Sequence, residues 1–413
     1  MTNKPTGRSL VANVSAALGG ELIQAGLGVI IFFGLSFQLT EFDWGLYVSA
    51  TATGLILGVV MNMGSMELLV RNVSRSGNLE AEWGKTITTQ LLGGLFGLAI
   101  GLAVRPIFFA EMSLFASFAI LSFNIFLFWA VETTVRVGQA TDDLSIGTRG
   151  RLFFAIGRLF AVGIFALTGS DSLDTYTQLM LPLTIVGAGV AVIAASKTTA
   201  TTPKLALPSQ SRVIAGLPFV GTSGAQDLLA SFDRPLLSAN DFVVEAGQYG
   251  IADRVARIAG IPTMALVRAT ASDFFRAGER DTRETFQLAT KYARPAVAYG
   301  FAASLALGFG SLLARGFVPD RLEPVLPMLT ALAALSTLHA IQLFPANVLT
   351  GTDRQTTRLV LYLIAAGANI VMNILWIPIW GWQGAAAATL IAESGLALLL
   401  WLVSWRIATN QDS

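Results

Sequence analysis

KTTATTPKLALPSQSR, residues 197–212, is the longest interruption of hydrophobicity in the chain and falls near its midpoint. Its Lys, Thr, Ser and Pro residues do not continue an apolar helix, so the stretch reads as a linker in water. On both sides of it, apolar runs of 18 or more residues recur to the ends of the chain. Each is long enough to cross a hydrocarbon core of about 30 Å. Before the linker the runs cover 13–39, 46–70, 86–104, 113–136, 151–169 and 174–196; after it they cover 213–238, 247–274, 291–314, 324–350, 357–378 and 384–405. The expected fold is an all-α polytopic membrane protein with about 12 transmembrane helices in two six-helix bundles, 1–196 and 213–413.

Composition agrees. Of 413 residues, 54% are hydrophobic and 13% are charged, against about 25% charged in an ordinary soluble domain. Mean hydropathy is +0.64. A net charge of +1 offers no footprint for nucleic acid. The absence of Cys excludes disulfides, iron–sulfur clusters and thiol nucleophiles, and one His disfavours a histidine metal site. No Gly-rich phosphate loop ending in Lys-Ser/Thr occurs, so the chain carries no ATPase motif. Asp142-Asp143 follows no strand pattern and sits in a short basic loop, which argues against a metal-dependent sugar transferase.

Basic residues orient the spans. Nineteen Lys and Arg fall in the termini and loops of one side, and four (Arg105, Arg234, Arg315, Arg321) fall on the other. The positive side is cytoplasmic, which places both termini and the linker there. The halves also repeat. Gly45-Leu46-Tyr47 opens the second span and Gly247-Gln248-Tyr249 the eighth; Arg75-Ser76-Gly77 follows the one and Arg276-Ala277-Gly278 the other. Gly138, Thr141 and Asp142 after the fourth span match Gly351, Thr352 and Asp353 after the tenth. Six spans per half make such repeats parallel, related by an axis along the membrane normal.

With Asp233-Arg234-Pro235-Leu236-Leu237 and Asn347-Val348-Leu349-Thr350-Gly351-Thr352-Asp353, these features resemble the polysaccharide-transporter branch of the multidrug/oligosaccharidyl-lipid/polysaccharide (MOP) superfamily. The resemblance covers essentially the whole chain. It implies a MATE-like fold with pseudo-two-fold symmetry and residence in the bacterial cytoplasmic (inner) membrane. It also implies a non-enzymatic flippase that moves polyprenyl-pyrophosphate-linked oligosaccharides outward by alternating access. No cofactor is implied beyond a coupling ion, H+ or Na+; the implied partners are the lipid bilayer, the lipid-linked sugar and the polysaccharide polymerase machinery.

Ionisable residues within spans are costly in lipid and should face a bundle interior or wet cavity. In the eighth span, Asp253 and Arg257 are i,i+4 neighbours, and at about 100° per residue Arg268 lies within about 20° of the same face as Arg257. Arg254, Arg257 and Arg268 could receive a pyrophosphate, because guanidinium donates forked hydrogen bonds to phosphate. The structural reading is that Asp253 merely neutralises Arg257. In the seventh span Asp227, Ser231 and Arg234 share a face beside Pro235, as part of a binding site or as a kink closed by a local ion pair. Glu21, Asp227 and Asp253 are the candidate ion-coupling carboxylates; a protonated Glu21 in a helix interface is the alternative for the first. Arg158 is expected to snorkel or to pair with Glu132, and His339 to pack or bond a carbonyl.

Two rivals differ in chemistry. An ion-coupled multidrug exporter of the same superfamily would want an acidic, aromatic cavity, and a membrane-embedded glycosyltransferase or polymerase would want a sizeable external domain. The short loops at 40–45 and 169–173 argue against the second. Because the chain lacks Cys, single cysteines report topology without background. Cysteines in 40–45, 170–173 and 379–383 should react with an impermeant maleimide from outside the cell, and those in 77–84, 200–210 and 279–286 should not. External labelling within 200–210 would overturn the arrangement.

Overall fold

The computed structural model describes residues 26–409, and every regular element among them is helical. Nine helical segments among the described residues are long and apolar enough to cross a membrane, which makes this a multi-pass membrane protein. By contact the chain divides into two compact units, Met1–Val220 and Gly221–Ser413.

The first unit holds α1 (Gly26–Gln38), α2 (Glu41–Met61), α3 (Ser65–Ser76), α4 (Leu79–Phe108), α5 (Leu114–Ser122), α6 (Phe128–Ala140), α7 (Ser145–Thr168) and α8 (Leu173–Thr199). Helix starts follow from capping. The side chains of Thr40, Asn78 and Ser113 accept the backbone N–H of Asp43, Ala81 and Ala116, satisfying donors that have no partner in a first turn. A π-helical turn, Phe123–Leu127, joins α5 to α6.

The span read as one helix over 46–70 is broken. Met63 and Gly64 take positive φ (49° and 62°), and the Asn62 side chain accepts from the Ser65 hydroxyl at 2.6 Å and the Gln90 amide at 3.1 Å. These side-chain bonds replace part of the helical ladder. Gly216 packs against the break: a Cβ at Gly64 would come within 2.5 Å of its carbonyl oxygen.

Between α8 and α9 (Gln210–Ser231) the non-helical chain is pinned to the first unit. The backbone N–H of Lys204 donates to the Glu80 carbonyl at 3.3 Å. Arg212 forms a buried ion pair with Glu82, which also accepts from Lys85 at 2.8 Å and Asn72 at 2.9 Å.

The second unit continues α9 into α10 (Asp233–Ala239), α11 (Val243–Ala259), α12 (Ile261–Gly278), α13 (Thr282–Leu313), α14 (Val325–Leu332), α15 (Leu335–Gly351), α16 (Gln355–Trp380) and α17 (Trp382–Thr409). One core gathers Leu229, Leu349, Leu361, Leu396 and Leu400, and another Phe274, Ala289, Phe344 and Val348. Spans expected to be continuous over 213–238 and 247–274 are each divided, at Phe232 and at Gly260. Pro235 and Pro262, just beyond the two breaks, cannot donate to the residues four back, Ser231 and Ile258. The three expected spans outside the nine are α1, α9–α10 and α11–α12, and the latter two carry most of the intramembrane charge.

Gly64→Ala should lower the melting temperature of the detergent-solubilised protein by several degrees, since a left-handed non-Gly residue costs on the order of 1–3 kcal/mol and the new methyl meets Gly216. Gly163→Ala, where a Cβ meets nothing within 4 Å, is the control and should leave it unchanged or raised. Equal melting temperatures for the two variants would contradict the close approach.

Candidate functional site

The breaks in the second unit create the site. Arg234 sits in the first turn of α10, and its backbone N–H donates to the Asp233 carboxylate at 2.8 Å rather than back to Ala230. The freed Ala230 carbonyl accepts instead from the Arg257 guanidinium, Nη2 at 3.0 Å. On α11 the i,i+4 spacing brings Arg257 Nε to both Asp253 oxygens, at 2.9 and 2.8 Å. Arg234 closes on the same carboxylate from α10. One buried carboxylate is thus clamped by two guanidiniums from two helices. The Asp253 side chain is 8% exposed, whereas Arg257 is 34% exposed. Among the described residues nothing takes the Nη1 donors of Arg257.

Further carboxylates face this clamp. Glu393 on α17 is buried and accepts from Gln342 Nε2 at 2.6 Å, with His339 Nε2 at 3.5 Å. Both Glu393 and Asp227 lie within Coulombic range of Arg257. Asp227 accepts no hydrogen bond from the described residues. Four carboxylates (Asp227, Asp233, Asp253, Glu393) therefore share a neighbourhood with two guanidiniums (Arg234, Arg257) and one imidazole. Such an excess of negative charge, out of water, calls for protons or a cation.

Several predicted residues lie elsewhere. Arg254 and Arg268 are exposed, on α11 and α12. The expected stripe through Asp253, Arg257 and Arg268 assumed an unbroken helix, and the break at Gly260 removes that assumption. Arg234 pairs with Asp253 on α11 and also, at 3.9 Å, with its neighbour Asp233. Glu132 is taken bidentately by Arg151, at 2.9 and 2.7 Å, and not by Arg158. His339 meets a carboxylate rather than a carbonyl. Glu21 lies outside the described residues.

The sequence reading passed over Gln342 and the buried pair Asn369 and Asn373, joined by a 2.9 Å hydrogen bond. Among the described residues, Asn369 Nδ2, Asn373 Oδ1 and, on α17, Thr389 Oγ1 find no hydrogen-bond partner. The available signal was the i,i+4 Asn spacing in an otherwise apolar helix.

Removing Asp253 takes from two guanidiniums the carboxylate they both contact, a loss that costs about 3–5 kcal/mol in buried pairs. Asp253→Ala should therefore fall sharply in yield and melting temperature. Arg254→Ala, at an exposed position of the same helix, should change melting by no more than a degree or two. A stable Asp253→Ala protein would show that the clamp is not structural.

No protein family and no curated protein matches the chain by sequence. Solved structures do match. An inward-facing multidrug resistance MATE family transporter of the MOP superfamily aligns with a TM-score of 0.70 at 13% identity, over 93% of this chain and 99% of that one. The lipid II flippase MurJ, in an inward closed conformation, aligns with a TM-score of 0.72 at 13% identity, over 94% of this chain and 87% of its own. A MOP superfamily transporter from Pyrococcus furiosus, described by the reverse polarity of its binding pocket, aligns with a TM-score of 0.60 at 14% identity, over 98% and 96%. At such identities the likeness concerns the fold, and the chain has the fold of the MATE transporters and of MurJ.

Proposed function

We propose that the protein is a membrane carrier rather than an enzyme, and that it flips polyprenyl-pyrophosphate-linked oligosaccharide repeat units from the cytoplasmic to the outer leaflet, by alternating access, for polysaccharide biosynthesis. The observation that carries this reading is Arg257. Its Nε is fixed on Asp253 and its Nη2 on the Ala230 carbonyl, while Nη1 is open and the side chain is partly exposed. A guanidinium so held presents a fixed donor edge suited to phosphate oxygens. The likeness to a lipid II flippase supports a lipid-linked cargo.

The multidrug reading is favoured by one observation, the carboxylate excess around the clamp. We assign that excess to coupling with H+ or Na+. Asp227, which has no hydrogen-bond partner among the described residues, is the more available of the carboxylates; Asp253 is held by two guanidiniums.

The test is transport in proteoliposomes. A fluorescent prenyl-pyrophosphate-linked sugar should cross the bilayer with the parent protein. Arg257→Ala should reduce its rate at least tenfold, and Arg257→Lys should recover only part, since Lys keeps the charge without the fork. Asp227→Asn should abolish acceleration by an imposed proton or sodium gradient. Gradient-driven efflux of rhodamine 6G, without movement of the sugar lipid, would establish the exporter instead.

A further inference from the structure

The first unit carries a cation that the clamp does not use. Helix α7 buries Phe154, Ala155, Ala161, Val162 and Phe165, and exposes Leu152, Phe153, Ile156, Leu159 and Phe160. Arg158 stands three and four residues from members of the buried set on both sides, so it lies on the inward stripe and not on the lipid face. It is the fourteenth residue of a helix of 24, which places it about 20 Å from the start and about 15 Å from the end.

Every other carboxylate–cation pair near α7 is closed without it. Glu132 is held by Arg151, one α7 residue seven positions earlier, and Glu67 is paired with Arg136. Among the described residues Arg158 meets no carboxylate. Its contact is the ring of Phe123, 5.3 Å from the guanidinium carbon. That ring opens the π-helical turn and stacks on Phe154 at 5.3 Å and 12°. Wide turns of this kind are frequent at functional sites. The Tyr176 hydroxyl on α8, buried, is also within Coulombic range of Arg158. A cation–π contact uses none of the N–H donors of a guanidinium.

We propose that Arg158 is a phosphate-binding residue of the N-terminal unit, which takes the pyrophosphate head of the cargo on the N–H edge of a guanidinium that sits over the Phe123 ring. This rests on the reading of the cargo as a pyrophosphate-linked lipid. The geometry adds a phosphate-binding candidate in the unit that holds none of the earlier ones. It also gives the π-helical turn a purpose: it sets the ring that orients the cation. The shared chemistry is a phosphate oxygen, which a phospholipid head could also supply.

The test is binding of farnesyl pyrophosphate to the full-length protein in phosphatidylcholine nanodiscs, measured by calorimetry. Arg158→Gln should weaken binding at least tenfold, Arg158→Lys should restore part of it, and Phe123→Leu should weaken it about threefold with the charge intact. Farnesol should bind all four proteins alike. If Arg158→Gln does not insert, Arg158→Lys and Phe123→Leu decide the matter, because the proposal requires both to lose affinity. Parent-like affinity in the Gln variant, or in either of the others, overturns the proposal and leaves the flippase reading standing. Failure of the parent protein itself to bind farnesyl pyrophosphate would instead remove that reading and the proposal with it. Replacing phosphatidylcholine by phosphatidylglycerol should leave the parent's affinity unchanged; an Arg158-dependent loss there would assign the site to lipid heads and sink the substrate role.

Discussion

A hydrocarbon solvent satisfies no hydrogen bond, so each backbone group and each charge within the spans must find its partner inside the protein. That constraint explains why polar side chains and helix breaks coincide here. Where α9 gives way to α10, the Ala230 carbonyl loses its helical donor and acquires Arg257. Where α2 gives way to α3, Asn62 gathers Ser65 and Gln90, and Gln90 in turn bonds Thr133 at 2.8 Å. Each break supplies acceptors or donors that a continuous helix would keep to itself. The ionisable residues then have somewhere to go that lipid does not offer.

The two units solve the charge problem differently. In the first, several described carboxylates in or near the spans are matched by cations: Glu82 by Arg212 and Lys85, Glu132 by Arg151, Glu67 by Arg136; Asp43 instead accepts the backbone N–H of Leu173 at 2.8 Å. Arg158 meets no carboxylate among the described residues and sits over an aromatic ring. In the second, four carboxylates gather around two guanidiniums and one imidazole. Weak sequence repetition therefore accompanies different charge pairings. Gly-Leu-Tyr and Gly-Gln-Tyr open equivalent broken helices, but only the second of these carries an Asp–Arg pair mid-way.

Much of the fold was legible because it depends on the length and polarity of whole segments. Apolar runs bounded by loops located the long helices, and the all-helical outcome required no side-chain detail. Breaks were less legible. Pro235 was visible as a kink, yet the break at Asn62–Gly64 depends on Gln90 and Gly216, residues remote in sequence whose packing no local pattern announces. The site was half legible for the same reason. The i,i+4 geometry of Asp253 and Arg257 follows from helix periodicity alone, whereas Arg234 on Asp253 and Glu393 beside His339 join different helices. The stripe to Arg268 failed because periodicity was carried across a break.

Because one fold serves proteins described both as multidrug transporters and as a lipid flippase, architecture alone does not fix the cargo. On the proposed reading, Arg257, already bonded to Asp253, answers also to the carboxylate of Asp227 within its Coulombic range and to the phosphate that would take its open edge. Both draw on one guanidinium, so the charge state of the first changes the affinity for the second. By linkage the reverse holds to the same extent. A coupling cation that neutralises Asp227 would thus alter cargo binding without touching the cargo. Arg158, with no carboxylate among the described residues beside it, is outside that competition. Its hold on phosphate would not vary with the coupling ion.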